Sequence, residues 1–156
     1  MLDLEGKDCP EFSVKLSDGT ELNKNNMLGQ TFILFFYPKD FTPGCTMEVC
    51  NMRDIYSSLA EQGIKVFGVS KDGYDKHTKF REKYDLPYEL ISDTDGDLCK
   101  IFGAWQEKSM FGKKYMGIAR STFIIDANSK VAKVWPKVAV TKHSQQILEY
   151  FKMLMC

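Results

Sequence analysis

Two predominantly apolar runs dominate the pattern of hydrophobic and polar positions along the chain. The first spans residues 31–37, Thr-Phe-Ile-Leu-Phe-Phe-Tyr, and the second spans residues 65–70, Lys-Val-Phe-Gly-Val-Ser. Such runs are typical of strands that are buried on both faces of a sheet. Between them, apolar residues recur every three or four positions, which predicts a helix from about Pro43 to Gln62. The recurring residues are Val49, Met52, Tyr56 and Leu59.

The flanking segments carry weaker patterns of the same kinds. Residues 11–22 alternate apolar and polar positions around Asp18-Gly19, which predicts an N-terminal β-hairpin. Residues 121–126 and 130–135 predict a second hairpin around 127–129. Helices are predicted over 74–84 and 143–154, with a helical turn or two over 97–102 and a short strand over 88–91. The last helix is amphipathic, with Ile147, Leu148, Phe151 and Leu154 on its apolar face.

The order of these elements predicts the fold class. Strands that are separated by helices pair in parallel, whereas the late hairpin adds antiparallel strands. We therefore expect an α/β protein with a thioredoxin-like fold, in which helices flank a mixed central sheet and a β-hairpin precedes it. The length of 156 residues fits one domain, and no repeat or linker divides residues 1–156.

Composition narrows the function classes. The chain has 21 basic and 21 acidic residues, so it lacks the positive surface that nucleic acids or anionic membranes attract. Residues 1–8 lack the basic start and apolar stretch of a secretory signal, and no apolar run approaches the roughly 20 residues of a membrane span. We expect a soluble, cytoplasmic protein without nucleic-acid or membrane partners.

The five cysteines are too few and too scattered for a disulfide scaffold, and their number is odd. In a reducing compartment such thiols are either buried and inert or chemically active. Cys99 lies in an apolar helical stretch and is expected to be buried. Cys9 precedes Pro10 in a loop and is expected to be exposed, and Cys156 is terminal. No role is assigned to these three.

Cys45 has the sequence context of a reactive thiol. A buried strand leads into a loop rich in Pro and Gly, and the helix that follows carries Cys45 in its first turn. Thr42 suits the N-cap and Pro43 the first helical position. The free N–H groups and positive dipole end of a helix N-terminus favour a thiolate over a thiol.

The spacing from Cys45 to Cys50 limits how these two thiols can interact. Five helical residues separate the Cα atoms by roughly 8 to 9 Å, beyond the reach of about 7 Å for an unstrained disulfide. A permanent bridge is therefore disfavoured, and a transient one requires the helix to unwind. The spacing also differs from the Cys-x-x-Cys of disulfide reductases. Zinc is disfavoured too, since neither His77 nor His143 lies near a second cysteine pair.

The segment Pro38-Lys-Asp-Phe-Thr-Pro-Gly-Cys45 resembles the Pro-x-x-x-Thr-x-x-Cys signature of the peroxiredoxins. Its extension through Cys50-Asn-Met-Arg-Asp54 is similar to the bacterioferritin-comigratory-protein (PrxQ) branch. Residues 91–96 and 118–126 strengthen the resemblance, which covers nearly the whole chain. The departures are minor: Phe41 stands where relatives often carry a polar residue, and neither Cys9 nor Cys99 belongs to the signature.

The resemblance implies a role for each matching position. Cys45 corresponds to the peroxidatic cysteine, and Cys50 to the resolving cysteine of the subgroup that carries it in the same helix. Thr42 corresponds to the hydroxyl that hydrogen-bonds the peroxide and the thiolate, and Pro38 to the residue that shields the pocket from water. Arg120 corresponds to the arginine that stabilises the thiolate and the charge that develops on the peroxide.

A thiol-dependent peroxidase with an antioxidant role follows from the resemblance. It would reduce hydrogen peroxide and organic hydroperoxides through a sulfenic acid and an intramolecular disulfide, without metal or organic cofactor. A thioredoxin-like or glutaredoxin-like dithiol protein would restore the thiols. The preferred hydroperoxide, the reductant and the choice between monomer and weak homodimer stay open. So do three alternatives: a disulfide reductase, a holdase chaperone or redox-sensing interaction protein, and a purely structural thioredoxin-fold module.

Overall fold

A five-stranded mixed sheet lies at the centre of the computed structural model, which describes residues 3–154. Its strands are arranged in the order β5-β4-β3-β8-β9, with β4 parallel to both β3 and β5 and with β8 antiparallel to both β3 and β9. The bounds are Phe32–Phe36 for β3, Lys65–Ser70 for β4, Glu89–Ser92 for β5, Ser121–Ile125 for β8 and Val131–Trp135 for β9. The predicted mixed sheet is confirmed.

Every residue of β3 is buried, and its side chains alternate between two cores. Ile33 and Phe35 face one core, and Phe32 and Leu34 face the other. Because successive strand residues point to opposite faces, a wholly apolar strand requires cover on both sides. Helices α1, α2 and α4 cover the first face, whereas α3 and the N-terminal segment cover the second. The helices are α1 Pro43–Glu61, α2 Tyr74–Tyr84, α3 Asp97–Ile101 and α4 Val140–Leu154.

The thioredoxin-like α/β fold is confirmed, and most elements lie where the sequence predicts them. The N-terminal hairpin pairs β1, Ser13–Lys15, with β2, Glu21–Asn23. The closing helix begins at Val140, three residues before the predicted start. No helix in the described part of the chain combines the length and apolarity that a membrane span needs. Cys156 lies outside the described residues.

A third hairpin, between α3 and β8, was not predicted. It pairs β6, Trp105–Met110, with β7, Lys113–Ile118, as a separate two-stranded sheet. Most of its side chains are exposed or half-buried, so the apolar alternation that marks a core strand is missing. Its turn also lacks the usual Asn-Gly signal, because Phe111 and Gly112 occupy the two positions with positive φ, 53° and 79°.

Gly68 in β4 allows the first core to close over the sheet. A Cβ atom at this position would lie 2.7 Å from Leu90 Cδ2 and 2.8 Å from Phe35 Cζ. We expect Gly68→Ala to lower the free energy of unfolding by roughly 1–3 kcal/mol, because the packed rings must shift. Urea unfolding checks this result, and Gly68→Ala/Leu90→Ala should show a smaller loss than the sum of the single variants. A Gly68→Ala protein as stable as the parent would contradict it.

Candidate active site

Cys45 lies in the first turn of α1 and is 1% exposed. The predicted helix start is confirmed, with Thr42 at the N-cap and Pro43 at the first helical position. The first intrahelical bond runs from Thr46 N–H to Thr42 O at 2.8 Å. The N–H groups of Gly44 and Cys45 precede that bond and belong to the open donor end of the helix. The sulfur therefore sits where positive partial charge is concentrated.

Arg120 lies beside Cys45, although 75 residues separate them in the chain. The Nη1 atom of Arg120 is 3.5 Å from Cys45 Sγ and donates to it. The sheet produces this contact, because Ser121 at the start of β8 pairs with Phe36 at the end of β3. The residue before β8 is thus brought to the loop that carries Cys45. The structure thus brings together these two residues, which the sequence analysis assigned to one site.

Glu48 also belongs to this group of residues, and sequence reasoning missed it. Its Oε1 accepts a hydrogen bond from Arg120 Nη1 at 2.6 Å, the carboxyl is 2% exposed, and Oε2 has no hydrogen-bond partner. Burial raises the pKa of Glu48 to about 7, although the Arg120 charge opposes the shift. Its position three residues after Cys45 is the one sequence signal, since that spacing puts two residues on one helical face.

One guanidinium thus serves two acidic groups. The pKa of Arg120 is raised by Glu48 and Cys45 against the opposing effect of burial, so the cation is permanent. When Cys45 is a thiolate and Glu48 a carboxylate, both anions compete for the same Nη1 donor. Protonation of Glu48 leaves the Arg120 charge to the sulfur alone.

The Thr42 hydroxyl does not cap the helix but donates to Lys39 O at 2.8 Å. With its only proton committed there, the oxygen presents its lone pairs to other donors. Pro38 is half-buried and lies two residues after the end of β3. Thr42 and Pro38 thus flank the loop that enters α1. Within the described residues, no hydrogen bond joins the Thr42 hydroxyl to Cys45.

Cys50 is half-buried on the same helix, which is intact from Pro43 to Glu61. Burial raises the pKa of the Cys50 thiol, with the Arg53 charge opposing and Asp54 adding to the effect. Cys45 and Cys50 are both free thiols. The helix therefore holds Cys50 as a protonated thiol on a different face from Cys45.

The remaining described cysteines are inert by burial. Cys99 is fully buried, as predicted, and burial raises the pKa of its thiol. The expectation that Cys9 is exposed is wrong, because it is 2% exposed and burial raises its pKa to about 11. Its N–H donates to Ser129 O at 2.8 Å, and this bond fixes the loop against the main body.

Among residues 3–154, one group has ligand atoms close enough to share a metal ion. Atoms of Asp40, Asp72 and His77 lie within 4.8 Å of one another. They are already engaged with protein groups: His77 Nδ1 is 2.6 Å from Asp40 Oδ2, and Asp72 Oδ2 accepts from the Asp40 N–H. An ion would have to displace these bonds, so the donor set fits a hydrogen-bond network better than a metal centre.

Comparison with known proteins places this geometry in a family. The AhpC/TSA family profile matches residues 6–134. Peroxiredoxin Bcp of Bacillus subtilis is 42% identical over 147 residues, and that of Escherichia coli K12 is 40% identical over 147 residues, each covering 94% of both chains. A structure of the Xanthomonas campestris bacterioferritin comigratory protein, described for its alkyl peroxide reduction activity, has a TM-score of 0.84. It is 35% identical and covers 91% of this chain and 90% of its own.

The chain therefore belongs to the AhpC/TSA family. Within that family it is a peroxiredoxin of the bacterioferritin-comigratory-protein (PrxQ) branch, and its activity is that of a thiol-dependent peroxidase. The resemblance found in the sequence is confirmed.

The raised pKa of Glu48 predicts a pH-dependent cost in stability. A carboxyl with a pKa of about 7 in the folded protein and near 4.3 when unfolded loses stability as pH rises between those values. We expect the stability of Glu48→Gln, relative to the parent, to increase from pH 5 to pH 8 by on the order of 2 kcal/mol. Denaturant unfolding at both pH values measures it.

Glu61→Gln is the matched control, because Glu61 is exposed near the end of the same helix. Its stability relative to the parent should stay constant over this pH range. A Glu48→Gln difference that is also independent of pH would show that Glu48 is ionised throughout.

Proposed function

We propose that Cys45 is the nucleophile that reduces hydroperoxides and that Cys50 resolves the oxidised product. The observation that carries this proposal is the 3.5 Å contact between Cys45 Sγ and the Arg120 guanidinium at the N-terminus of α1. A fixed cation and open backbone donors together stabilise a thiolate, which is the reactive form of cysteine.

In the first step, the thiolate attacks one peroxide oxygen and the O–O bond breaks. The sulfur becomes a sulfenic acid, and the other oxygen leaves as water or an alcohol after it takes up a proton. Arg120 and the N–H groups of Gly44 and Cys45 are preorganised donors for the charge that develops on the oxygens. Thr42, whose proton is held by Lys39 O, accepts the O–H of the hydroperoxide. Pro38 limits the access of water.

In the second step, the Cys50 sulfur attacks the sulfenic acid, a disulfide forms and water leaves. The intact helix holds the two thiols apart, so the turns between them must unwind. A thioredoxin-like or glutaredoxin-like dithiol protein then restores both thiols by exchange. These reductants belong to the cytoplasm, where we propose that the protein acts as an antioxidant.

The proposed substrates are hydrogen peroxide and alkyl hydroperoxides. The relative from Xanthomonas campestris is described for alkyl peroxide reduction. In this chain Phe41, next to Thr42, is 38% exposed and packs on Phe80 with ring centroids 4.8 Å apart. An apolar side chain beside the acceptor hydroxyl suits an alkyl substituent better than a polar one.

One equivalent of hydrogen peroxide tests both cysteine roles. Fully reduced protein should consume the peroxide and form a Cys45–Cys50 disulfide, which acid quench and peptide mass mapping detect. Cys50→Ser should stop at a sulfenic acid that a dimedone reagent traps, and Cys45→Ser should consume no peroxide above background. Turnover that persists in Cys45→Ser would refute the proposal, and a bridge from Cys45 to Cys9, Cys99 or Cys156 would refute the role of Cys50.

Met47 tests the unwinding step, because it is 47% exposed and lies between the two cysteines in α1. Met47→Gly lowers helix propensity by about 0.8 kcal/mol, so we expect disulfide formation after the sulfenic acid to quicken by roughly three- to four-fold. Stopped-flow fluorescence measures this rate. Ser57→Gly, exposed beyond Cys50 in the same helix, is the control and should leave the rate unchanged. Equal rates in parent and Met47→Gly would mean that unwinding is not limiting.

A further inference from the structure

A single peptide group links the Thr42 hydroxyl to a buried polar network outside the site described above. The carbonyl of the Lys39–Asp40 peptide accepts the Thr42 hydroxyl at 2.8 Å. The N–H of the same peptide donates to Asp72 Oδ2 at 2.7 Å. A peptide group is planar and rigid, so fixing its N–H also fixes the direction of its carbonyl. The orientation of Thr42 therefore depends on Asp72.

Asp72 is itself held from three sides. Its Oδ2 accepts from the Ser70 hydroxyl at 2.7 Å, and its Oδ1 accepts from Lys76 Nζ at 3.1 Å. Its own N–H donates to the Ser70 oxygen at 3.2 Å. Burial alone would raise the pKa of Asp72, but the hydrogen bonds from the Asp40 N–H, Ser70 and Lys76 lower it. A charged acceptor thus faces the peptide N–H, and such bonds are about twice as strong as neutral ones.

The Asp40 side chain anchors the same loop to Tyr37, directly after β3, and to His77 in α2. It is 1% exposed, and its carboxylate accepts from the Tyr37 hydroxyl and the His77 Nδ1–H, each at 2.6 Å. The other ring nitrogen of His77 lies 3.1 Å from the Ile91 carbonyl, which can only accept a hydrogen bond. Both ring nitrogens therefore face acceptors, and the imidazole connects the Asp40 carboxylate to the Ile91 carbonyl of β5.

The loop between these anchors has a conformation that its sequence does not favour. Phe41 has a φ of 65°, a left-handed conformation that is uncommon for a bulky residue. Such geometry persists when the surrounding contacts over-determine it. The bonds to Asp40 on one side and the packing of Phe41 on Phe80 on the other supply those contacts.

We propose that Asp72, together with the Asp40–His77 pair, is a positioning unit that directs the Thr42 hydroxyl towards the hydroperoxide at Cys45. The inference rests on the proposed role of Thr42 and adds to the peroxidase machinery Asp40 before α1, Asp72 in the β4–α2 connection and His77 in α2. None of the three side chains touches the reacting atoms. They act through the Lys39–Asp40 peptide.

Two reactions of Cys45 distinguish a loss of Thr42 orientation from general damage to the folded site. Reduction of hydrogen peroxide needs the oriented Thr42 hydroxyl, whereas alkylation by iodoacetamide needs only an accessible thiolate. For Asp72→Ala we expect the second-order rate with peroxide to fall by roughly ten- to a hundred-fold, the scale of a misplaced reacting group. The rate with iodoacetamide should stay within about two-fold of the parent, since thiolate formation does not depend on Thr42. Asp72→Asn keeps one acceptor oxygen, so its rate with peroxide should lie between that of the parent and that of Asp72→Ala.

Asp75→Asn is the matched control, because Asp75 is an exposed carboxylate in the first turn of α2. Both of its rates should equal those of the parent. If Asp72→Ala does not fold, as judged by circular dichroism, Asp72→Asn carries the same comparison.

A double-mutant cycle then tests whether Asp72 affects the peroxide rate through Thr42. If Asp72 acts through Thr42, Asp72→Asn has no further effect on the peroxide rate in a Thr42→Val background. Additive effects, or equal losses in peroxide and iodoacetamide rates, would overturn the positioning unit. A Thr42→Val protein that reduces peroxide at the parent rate would instead refute the proposed role of Thr42.

Discussion

The bond between Arg120 and the first turn of α1 is the contact on which the site depends. A buried thiolate cannot persist in an apolar core without a compensating cation, and Arg120 Nη1 lies 3.5 Å from the sulfur. That cation can reach Cys45 only because β8 runs antiparallel to β3 and pairs Ser121 with Phe36. The sheet register is thus a requirement of the chemistry as well as of the fold.

Glu48 imposes an energetic cost on the contact between Arg120 and Cys45. It holds Arg120 in place at 2.6 Å, yet its second oxygen is buried without a partner. A carboxylate in that position weakens the electrostatic support that the sulfur receives, whereas a neutral acid would not. A buried ion pair of this kind is poor evidence for stability. Its value lies in fixing the direction of the guanidinium.

Much of the architecture follows from sequence because core strands leave an unambiguous pattern. The all-apolar β3 could only be a strand covered on both faces, and Thr42-Pro43 marks the start of α1. The hairpin of β6 and β7 escaped prediction because it packs little into the core and turns at Phe111-Gly112. The buried polar network was not predicted for another reason. Its partners are distant in sequence, as with Asp72 and the Asp40 N–H, which lie 32 residues apart. Local periodicity carries no information about such pairs.

The helix that carries both cysteines must be firm in one state and unwound in the next. Upstream, the Lys39–Asp40 peptide is held by Asp72. Downstream, the carbonyl of Val49, which is fully buried, accepts a hydrogen bond from the buried Tyr88 hydroxyl at 2.5 Å. The first anchor lies before the helix, whereas Val49 lies between the two cysteines, where Met47 is 47% exposed but Cys45, Glu48 and Val49 are buried. The unwinding that joins the two sulfurs must therefore disturb the buried packing around Val49, including its bond to Tyr88. The loop that orients the peroxide is held by Asp72 instead, so it can keep its shape while the helix opens.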